Sequence, residues 1–571
     1  MTGHTGHTGH TGPGDPAGRP GSLRALVRAL LLDTLDACQG CPAEPVLREE
    51  VDRFDGPLRV ALAGRVKAGK STLLNALAGE QIAATDATEC TRIVTSYAAG
   101  TREAAWAYLR DGSVVEARLS RTAGSAHVDL AGLPGGAGSA GTAAPGAGAA
   151  GPGVEALRVE LPGPRLHGLT LIDTPGIASL SVELSRRTES FLTRGARRPA
   201  ARRPGGRPAG DVPPGLGTAG SGAAGPTLAG ADAIVYLLRH LHAADVDFLA
   251  SFRRTGLGEA TPAHAIGVLS RADEIAPGRT DSVDVARRAA AAIGRDERVR
   301  ALVQTVVPVA GLLAQAGTRL SGDELGQLLA LAAEPAADTD DLLLSVDRFV
   351  APAASTSVAA PVRALLIDGL GLAGVRLAVA LARLGYARDP AELAAELTAR
   401  SGLPELTELL RGQFTDRADV LKAQHALRVL DGVLGEGGTG EATGADGPVG
   451  PPPRLLALLR ARREQIEAGA HELAELRLIG ELRTGTADLR GLDGGRRDEM
   501  ERLLGAAGVD VRTRLGLPAD ADAAEIRPAV LAVLGSYRQL AENRLLPQPT
   551  RRAAAILRRT CEGLLHATTG G

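Results

Sequence analysis

The sequence predicts an α/β domain, with a mostly parallel sheet and helices on both faces, followed by an α-helical neck and stalk bundle. Apolar strands alternate with helical stretches from about Leu58 to Gly311, which is the pattern of a parallel sheet covered on both sides. A glycine-rich segment stands between the first of these strands and a helical stretch. Beyond Gly311 the strands stop, and apolar residues recur at helical spacing up to the last residues.

Composition and charge restrict the classes of protein to which the chain can belong. Its 571 residues are 44% hydrophobic, enough for two or three domains, and a net charge of −2 provides no basic field for nucleic acid. Four scattered cysteines are too few for a disulfide framework, and the pair Cys38 and Cys41 has no second pair or histidine to complete a zinc site. The most apolar long run, Ala364 to Leu381, is interrupted by Asp368 and Arg376, and no signal-peptide pattern is present. We therefore expect a cytoplasmic protein with no nucleic-acid partner.

Composition also divides the chain into segments. Residues 1–20 repeat His-Thr-Gly and are expected to be a disordered tail, and two Gly/Ala/Pro-rich stretches without periodicity are expected to be disordered insertions. The predicted order is N-terminal neck helices over 21–55, a nucleotide-binding domain over 56–315 with insertions near 122–153 and 195–230, and a helical neck and stalk over 316–571 with a flexible break near 435–453.

The individual elements follow from their apolar patterns. A first helix with Ser22 as N-cap carries a stripe that needs a packing partner, formed by Leu23, Leu26, Leu30 and Ala37. A short second helix is predicted over roughly Pro45 to Phe54. Strands are predicted at "LRVALAG", "LTLID", "ADAIVYLL", "HAIGVLS" and "VQTVVPVA", and "WAYLRDGSVVEARL" predicts two strands joined at Asp111-Gly112. Two later helices, "DRADVLKAQHALRVLDGVL" and "REQIEAGAHELAELRLIGEL", are predicted to form a long antiparallel hairpin.

The segment from Gly64 to Ser71 satisfies the phosphate-binding pattern G-x-x-x-x-G-K-[ST] in the required strand-turn-helix setting. Its glycines allow main-chain N–H groups to surround phosphate oxygens, Lys70 neutralises the β and γ phosphates, and Ser71 ligates Mg²⁺. The chain has only three lysines, two of them here. Lys70 is retained because the wide planar fork of arginine cannot replace a compact ammonium between phosphates.

Two later motifs favour GTP. "LTLIDTPG" places Asp173 at the end of a buried strand, where its carboxylate can hold Mg²⁺ through water, and lets Gly176 offer its N–H to a γ-phosphate. "VLSRADE" places Ser270, Arg271 and Asp273 where GTPases have [NT]-K-x-D, and Asp273 can accept the two donors of guanine, which adenine lacks. An ordinary solvated Arg-Asp pair is the alternative. Thr91, with Thr88 in reserve, is the expected first-switch threonine.

These motifs resemble the dynamin superfamily, specifically bacterial and actinobacterial dynamin-like proteins related to the isoniazid-inducible GTPases of mycobacteria. The resemblance spans about Leu58 to Gly311 and extends as pattern only into the flanking helices. The segments that carry it are "GRVKAGKSTLLNALAGE", "ATDATECTRIVT", "LIDTPG", "ADAIVYLLRHLHAADVDFL" and "VLSRADE". It implies an α/β P-loop GTPase domain with a helical neck and stalk that binds and hydrolyses Mg²⁺-GTP. It further implies a homodimer, or a hetero-oligomer with another dynamin-like protein, that remodels or tethers membranes as a peripheral protein on the cytoplasmic face of the cell membrane.

The pattern and the resemblance together give the candidate site. Predicted nucleotide-binding residues are Gly64, Lys67, Ala68, Gly69, Lys70, Ser71, Thr72, Asp173, Gly176, Ser270, Arg271 and Asp273. Predicted Mg²⁺ ligands are Ser71, Thr91 and Asp173. Predicted catalytic residues are Lys67, Lys70, Thr91 and Gly176.

The chain departs from the family pattern at three positions. Val66 and Lys67 stand where dynamins have Gln and Ser, so the monovalent-cation arrangement of dynamins does not carry over. Ile177 stands where small GTPases have the Gln that orients the attacking water, so that role is not available to it. Lys67 coincides with the position at which guanylate-binding proteins and atlastins have an arginine finger. We hypothesise that it supplies a transition-state cation when two GTPase domains meet; the alternative is an exposed or structural loop lysine.

Other functions remain open at this point. A soluble regulatory or ribosome-assembly-type GTPase would require a basic RNA-binding appendage, and none is visible. A GTP-binding partner subunit of another dynamin-like protein is a further alternative. The cluster Arg454, Arg460, Arg462 and Arg463 with its neighbouring leucines is either a membrane contact or an ordinary solvated helix face.

Overall fold

The computed structural model of the chain describes residues 21–82, 93–109, 113–122, 125–128, 154–163, 165–174, 231–252, 261–276, 281–435, 451–486, 489 and 493–569. Its centre is a nine-stranded sheet in the order β11-β10-β9-β1-β8-β2-β7-β3-β4. The strands are β1 Leu58–Gly64, β2 Val94–Ala99, β3 Ala104–Leu109, β4 Val114–Ala117, β7 Val154–Leu161, β8 Leu169–Asp173, β9 Ala233–Leu238, β10 Ala265–Ser270 and β11 Val306–Val309. A separate two-stranded sheet pairs β5 Leu119–Thr122 with β6 Ser125–Val128.

The half of the sheet that contains β1, the strand before the phosphate motif, is parallel. The strands β11, β10, β9, β1 and β8 are parallel neighbours, and all residues of β1, β9 and β10 are buried, as their unbroken apolar character predicts. The other side is mixed: β2 is antiparallel to β8 and parallel to β7, and β3 is antiparallel to both β7 and β4. The predicted α/β fold and the β3–β4 hairpin are confirmed, whereas the strands β2, β5, β6 and β7 were absent from the prediction, and β6 lies within a stretch predicted to be a disordered insertion.

Helices cover the sheet and make up the chain after β11. They are α1 Leu23–Ala37, α2 Glu44–Asp55, α3 Lys70–Ala78, α4 Ala243–Ser251, α5 Ser282–Arg295, α6 Glu297–Arg300, α7 Gly311–Ala314, α8 Ala316–Arg319, α9 Gly322–Ala333, α10 Ala336–Leu342, α11 Val346–Val350, α12 Ala360–Arg383, α13 Pro390–Ala399, α14 Leu403–Leu410, α15 Ala418–Leu434, α16 Pro453–Gly469, α17 His471–Thr484, α18 Gly494–Leu503, α19 Val511–Leu515, α20 Ala523–Glu542 and α21 Gln548–Thr569. A π-helical turn, Arg411–Thr415, separates α14 from α15, and 3-10 turns occur at Pro262–His264 and Ala272–Glu274.

The first helix packs against later helices, as its stripe requires. Ser22 caps α1 by accepting a hydrogen bond from the Ala25 N–H group. The buried face forms one apolar cluster with α15 and α16. This face is Leu23, Val27, Leu30, Leu31 and Thr34. The predicted stripe was therefore rotated: Leu26 is exposed and Ala37 is half-buried.

The two cysteines between α1 and α2 belong to the same apolar cluster. Cys38 and Cys41 are both buried and unoxidised. Burial, reinforced by the hydrogen bond to Cys41, raises the pKa of the Cys38 thiol to about 12. The described residues contain no group of three or more metal-ligating side chains.

Charged side chains are buried where α2 meets the sheet, in what we call the ionic junction: Glu50, Arg53, Asp232 and Lys422. Asp232, just before β9, forms an ion pair with Arg53, and the exposed fractions of the two side chains are 0% and 3%. The other Asp232 oxygen accepts the Arg59 main-chain N–H at 2.8 Å. Lys422 of α15 donates to the Gly56 carbonyl, and Glu50 lies 3.3 Å from Arg53. The junction therefore joins α2 and α15 to the amino ends of β1 and β9.

A second apolar cluster holds the helices from α7 to α13 together. Among the described residues, α12 is the one helix long and apolar enough to cross a membrane by those criteria alone, and half of its most apolar stretch is buried in the fold. Its helical geometry is interrupted at Gly371, where φ is +68° and ψ is 168°. Gly371 packs against Leu312 of α7, because a Cβ built there would lie 3.6 Å from Leu312 Cδ1.

The predicted hairpin after Asp416 differs from the structure at its second helix. A continuous helix was predicted over 463–482, but α16 ends at Gly469 and α17 begins at His471, because Ala470 has extended backbone. Three of the four arginines of the predicted cluster have partners within the fold, whereas Arg454 is exposed. Arg462 pairs with Asp33, Arg463 pairs with Asp431, and Arg460 donates to the Leu434 carbonyl. These three arginines are held by neighbouring elements, and the membrane contact at this segment stays a prediction.

Candidate functional site

The phosphate-binding loop connects the carboxyl end of β1 to the amino end of α3. Gly64 has a φ of +154°, and a Cβ there would lie 2.6 Å from the Leu237 carbonyl oxygen of the adjacent strand. Gly69 has a φ of +90° immediately before α3. Only glycine fits the first position without displacing β9, and glycine alone adopts the second without strain. Ala68 is buried beneath the loop.

Lys70 and Asp173 face one another at this end of the sheet. Lys70 Nζ donates to the Gly64 carbonyl at 3.4 Å. Burial lowers the pKa of Lys70, and the Asp173 charge opposes that effect. Asp173 is the last residue of β8, beside Leu62 of β1. Burial raises the pKa of Asp173 to about 6, and the Lys70 charge acts against the rise.

The Asp173 carboxylate provides a test of whether Mg²⁺ fits the site. Asp173 Oδ1 is buried and has no hydrogen-bond partner within the described part of the chain. A buried acceptor without a partner costs free energy, so it needs a ligand. Ser71, the second residue of α3, adds a half-buried hydroxyl. Carboxylate and hydroxyl oxygens are the donors that Mg²⁺ prefers, so the residues present fit the ion.

A pocket beside α3 brings the phosphate motif and the third motif together. It is lined by Gly69, Thr72, Leu73, Leu237, Val268, Ser270, Arg271, Asp273, Glu274, Val309, Gly311 and Leu312. The pocket lies at the carboxyl ends of β9, β10 and β11, where ligands of parallel sheets bind. Ser270 uses its hydroxyl to donate to the Leu238 carbonyl at 3.2 Å. Asp273 is buried at the start of the following turn, and burial raises the pKa of its carboxyl group to about 6.

Two site residues have strained backbone. Lys67 has a φ of +63° and Arg271 a φ of +53°, and no other described residue besides glycine has a positive φ. Such strain collects at functional positions, where the surrounding structure maintains it. The Lys67 side chain is exposed and has no ion-pair partner among the residues that the structure describes. The Arg271 side chain pairs with Glu274.

Some predicted residues cannot be placed, and some residues of the site were not predicted. Thr91, Thr88, Gly176 and Ile177 lie outside the described residues. The pocket wall that was not predicted consists of Leu73, Leu237, Val268, Val309, Gly311 and Leu312, with Glu274 at the mouth. The segment "VQTVVPVA" was predicted as a parallel strand. The position of its carboxyl end could therefore have indicated that Val309, Gly311 and Leu312 would reach the pocket. Gln315 also escaped prediction; its side chain donates to the Thr72 carbonyl at 2.7 Å and so anchors α3.

Comparisons with known proteins agree with this arrangement. The family model described as "Dynamin family" matches residues 60–197. The chain is 33% identical over 549 residues to the isoniazid-induced protein IniC of Mycobacterium tuberculosis, strains CDC 1551 / Oshkosh and ATCC 25618 / H37Rv, and the match covers 94% of this chain and 97% of each relative.

Two solved structures of bacterial dynamins are also similar at low score. One, described as "An oligomerised bacterial dynamin pair provides a mechanism for the long range sensing and tethering of membranes", has a TM-score of 0.30 and 12% identity, over 95% of this chain and 90% of that chain. LeoA, a bacterial dynamin GTPase from ETEC, has a TM-score of 0.20 and 11% identity, over 96% of this chain and 94% of that chain. The identity to IniC over nearly the full length of both chains, with the family model, shows that this chain belongs to the dynamin family.

Proposed function

We propose that this chain binds and hydrolyses Mg²⁺-GTP, dimerises through its GTPase domain, and remodels or tethers membranes in cell division or envelope maintenance. One observation carries the enzymatic part of the proposal. The phosphate loop, the buried Asp173 carboxylate and a pocket with a buried Asp273 meet at one edge of a parallel sheet. Membership of a family of GTPases supports the activity.

The residues divide into a phosphate end and a base end. At the phosphate end, main-chain N–H groups of the loop and the amino end of α3 bind the phosphates, and Lys70 leaves the Gly64 carbonyl to neutralise their charge. Bound Mg²⁺ would neutralise developing charge on the phosphates, with Ser71 and Asp173 as its ligands on the described part of the chain. Thr91 and Gly176 keep their proposed roles at the γ-phosphate.

The base end favours guanine over adenine. Two acceptor oxygens of Asp273 match the N1–H and N2–H₂ donors of guanine, and adenine presents no equivalent pair. Asp273 is 8% exposed, so an adenine would leave its carboxylate buried without a partner. We therefore expect GTP to be selected over ATP by at least about a hundredfold.

Lys67 is our candidate for the cation that completes the site in a dimer. Its side chain points to solvent from a backbone conformation in which glycine would be relaxed. We expect Lys67→Ala and Lys67→Gly to bind GTP normally and to lose on the order of a hundredfold in concentration-stimulated turnover. Arg65→Ala, which removes an exposed cation from the same loop, is the control. If turnover is still stimulated by protein concentration in both Lys67 variants, Lys67 is an ordinary loop lysine and not a catalytic cation.

The membrane and partner roles are proposals drawn from family membership. A homodimer, or a hetero-oligomer with another dynamin-like protein, would act peripherally on the cytoplasmic face of the cell membrane. The test is co-sedimentation with anionic liposomes in the GTP, GDP and nucleotide-free states, with Mg²⁺-dependent phosphate release measured in the same samples. Turnover without response to lipid, and protein that stays in the supernatant in every state, would favour a soluble regulatory GTPase.

A further inference from the structure

Arg271 and Glu274 form an ion pair at the mouth of the base pocket. Arg271 Nη1 donates to Glu274 Oε1 at 2.7 Å, and both side chains are a little over two-fifths exposed. Arg271 stands directly before the 3-10 turn Ala272–Glu274, and its positive φ directs the chain into that turn. The pair is therefore built by the local backbone.

The same carboxylate also holds a second arginine. Glu274 Oε2 accepts a hydrogen bond from Arg239 Nη2 at 2.6 Å. Arg239 follows β9 directly, whereas Arg271 follows the neighbouring strand β10. One carboxylate thus fixes two guanidinium groups from adjacent strands. We call these residues the Arg239–Glu274–Arg271 triad.

The triad lies next to the carboxylate that is proposed to recognise guanine. Burial raises the pKa of Asp273, the Glu274 charge adds to the rise, and the Arg271 charge opposes it. A planar guanidinium binds a carboxylate through two parallel hydrogen bonds. If Arg271 turned inward, it would occupy the Asp273 oxygens that guanine requires. The lysine of the [NT]-K-x-D pattern has no such fork.

We propose that Glu274 is a positioning residue for base recognition. Together with Arg239 it holds the Arg271 guanidinium at the pocket mouth, which keeps Asp273 available to guanine and leaves the aliphatic part of Arg271 to cover the base. The inference rests on the proposed binding of GTP. It gives a physical reason why arginine functions here in place of lysine.

The first experiment compares Glu274→Gln with the unmodified full-length chain. We expect the Kd for a fluorescent GDP analogue to rise on the order of threefold to tenfold, because two partly exposed charge pairs are lost. The KM for GTP should rise similarly while kcat changes less than about twofold, since the triad lies at the base end of the site. Glu116→Gln, which neutralises an exposed partner of Arg102 on the edge strand β4, should change neither value.

The second experiment repeats the substitution in an Arg271→Lys background. Whatever the Kd of Arg271→Lys itself, we expect Glu274→Gln to cause no further increase in the Kd there, because a lysine has no planar fork to hold away from Asp273. An unchanged Kd in Glu274→Gln, or an equal loss in both backgrounds, would overturn the inference, because Glu274 would then act independently of Arg271. Matching circular-dichroism unfolding curves establish that the variants fold. Failure of the unmodified chain to bind any guanine nucleotide would instead refute the proposed function.

Discussion

Asp232 of the ionic junction holds a charge that water cannot reach, and Asp232→Ala removes that charge alone. Loss of one partner from a buried ion pair costs about 3–5 kcal/mol, because the remaining charge stays desolvated. Arg53 keeps acidic neighbours, among them Glu50 at 3.3 Å, which places the cost near the lower end. The Arg59 N–H also loses its acceptor, which adds about 1 kcal/mol. We therefore expect a total loss of about 4 kcal/mol in the free energy of unfolding.

The chain offers a site-specific probe for this measurement. Its single tryptophan, Trp106, is buried in β3, so its fluorescence during a urea titration reports unfolding of the sheet. Asp55→Ala is the control, because Asp55 lies on the same helix as Arg53 and forms an exposed pair with Arg28. It should cost no more than about 1 kcal/mol. The double variant Arg53→Met, Asp232→Leu should recover part of the stability, since it removes both charges of the pair and leaves Glu50 and Lys422 as the charged residues of the junction.

Equal losses in Asp232→Ala and the exposed control would refute this reasoning. The same conclusion would follow if the apolar double variant were as unstable as Asp232→Ala. Either result would mean that the junction does not contribute as a buried charge pair.

Two further predictions concern the junction and the neck. Burial raises the pKa of Glu50 from 4.5 to about 7, so the folded state favours the protonated form and this contribution to stability is lost as pH rises from about 4.5 to 7. In urea titrations across that range, Glu50→Gln should reduce the change in the free energy of unfolding with pH by up to about 3 kcal/mol. If the free energy of unfolding of Glu50→Gln changes with pH as it does in the unmodified chain, Glu50 is not the source of the pH dependence. In α16, Leu459 is 3% exposed and Leu458 is 63% exposed. Leu459→Ala should therefore lower the free energy of unfolding by about 2–4 kcal/mol, and Leu458→Ala should lower it by less than about 0.5 kcal/mol. Thermal and urea unfolding measure both values.

The sequence was informative wherever a local pattern determined the outcome. The five parallel strands are nearly unbroken apolar runs, and each was predicted. By contrast, β7 follows a Gly-rich stretch, and its pairing with β2 and β3 depends on contacts distant in sequence. The helix break at Ala470 likewise arises where α16 and α17 pack on different neighbours, which an apolar stripe does not reveal.

The candidate site divides in the same way. The glycines and Lys70 follow from one short motif whose spacing reflects phosphate geometry, and Asp173 follows from a second motif at the end of a buried strand. The Arg239–Glu274–Arg271 triad could not be predicted from a motif, because Arg239 comes from a different strand and acts through register between β9 and β10. Gln315 reaches Thr72 from 243 residues away in the sequence.

The interruption at Gly371 changes what the most apolar helix of the chain can do. It divides α12 into halves of 11 and 12 residues, each about 17 Å long, whereas the hydrocarbon core of a bilayer is about 30 Å thick. In this fold neither half is long enough to cross that thickness. The apolar surface instead packs against α7, α9, α11 and α13, and Gly371 contacts Leu312, which lines the pocket beside α3. Straightening this helix would therefore withdraw support from the candidate nucleotide pocket.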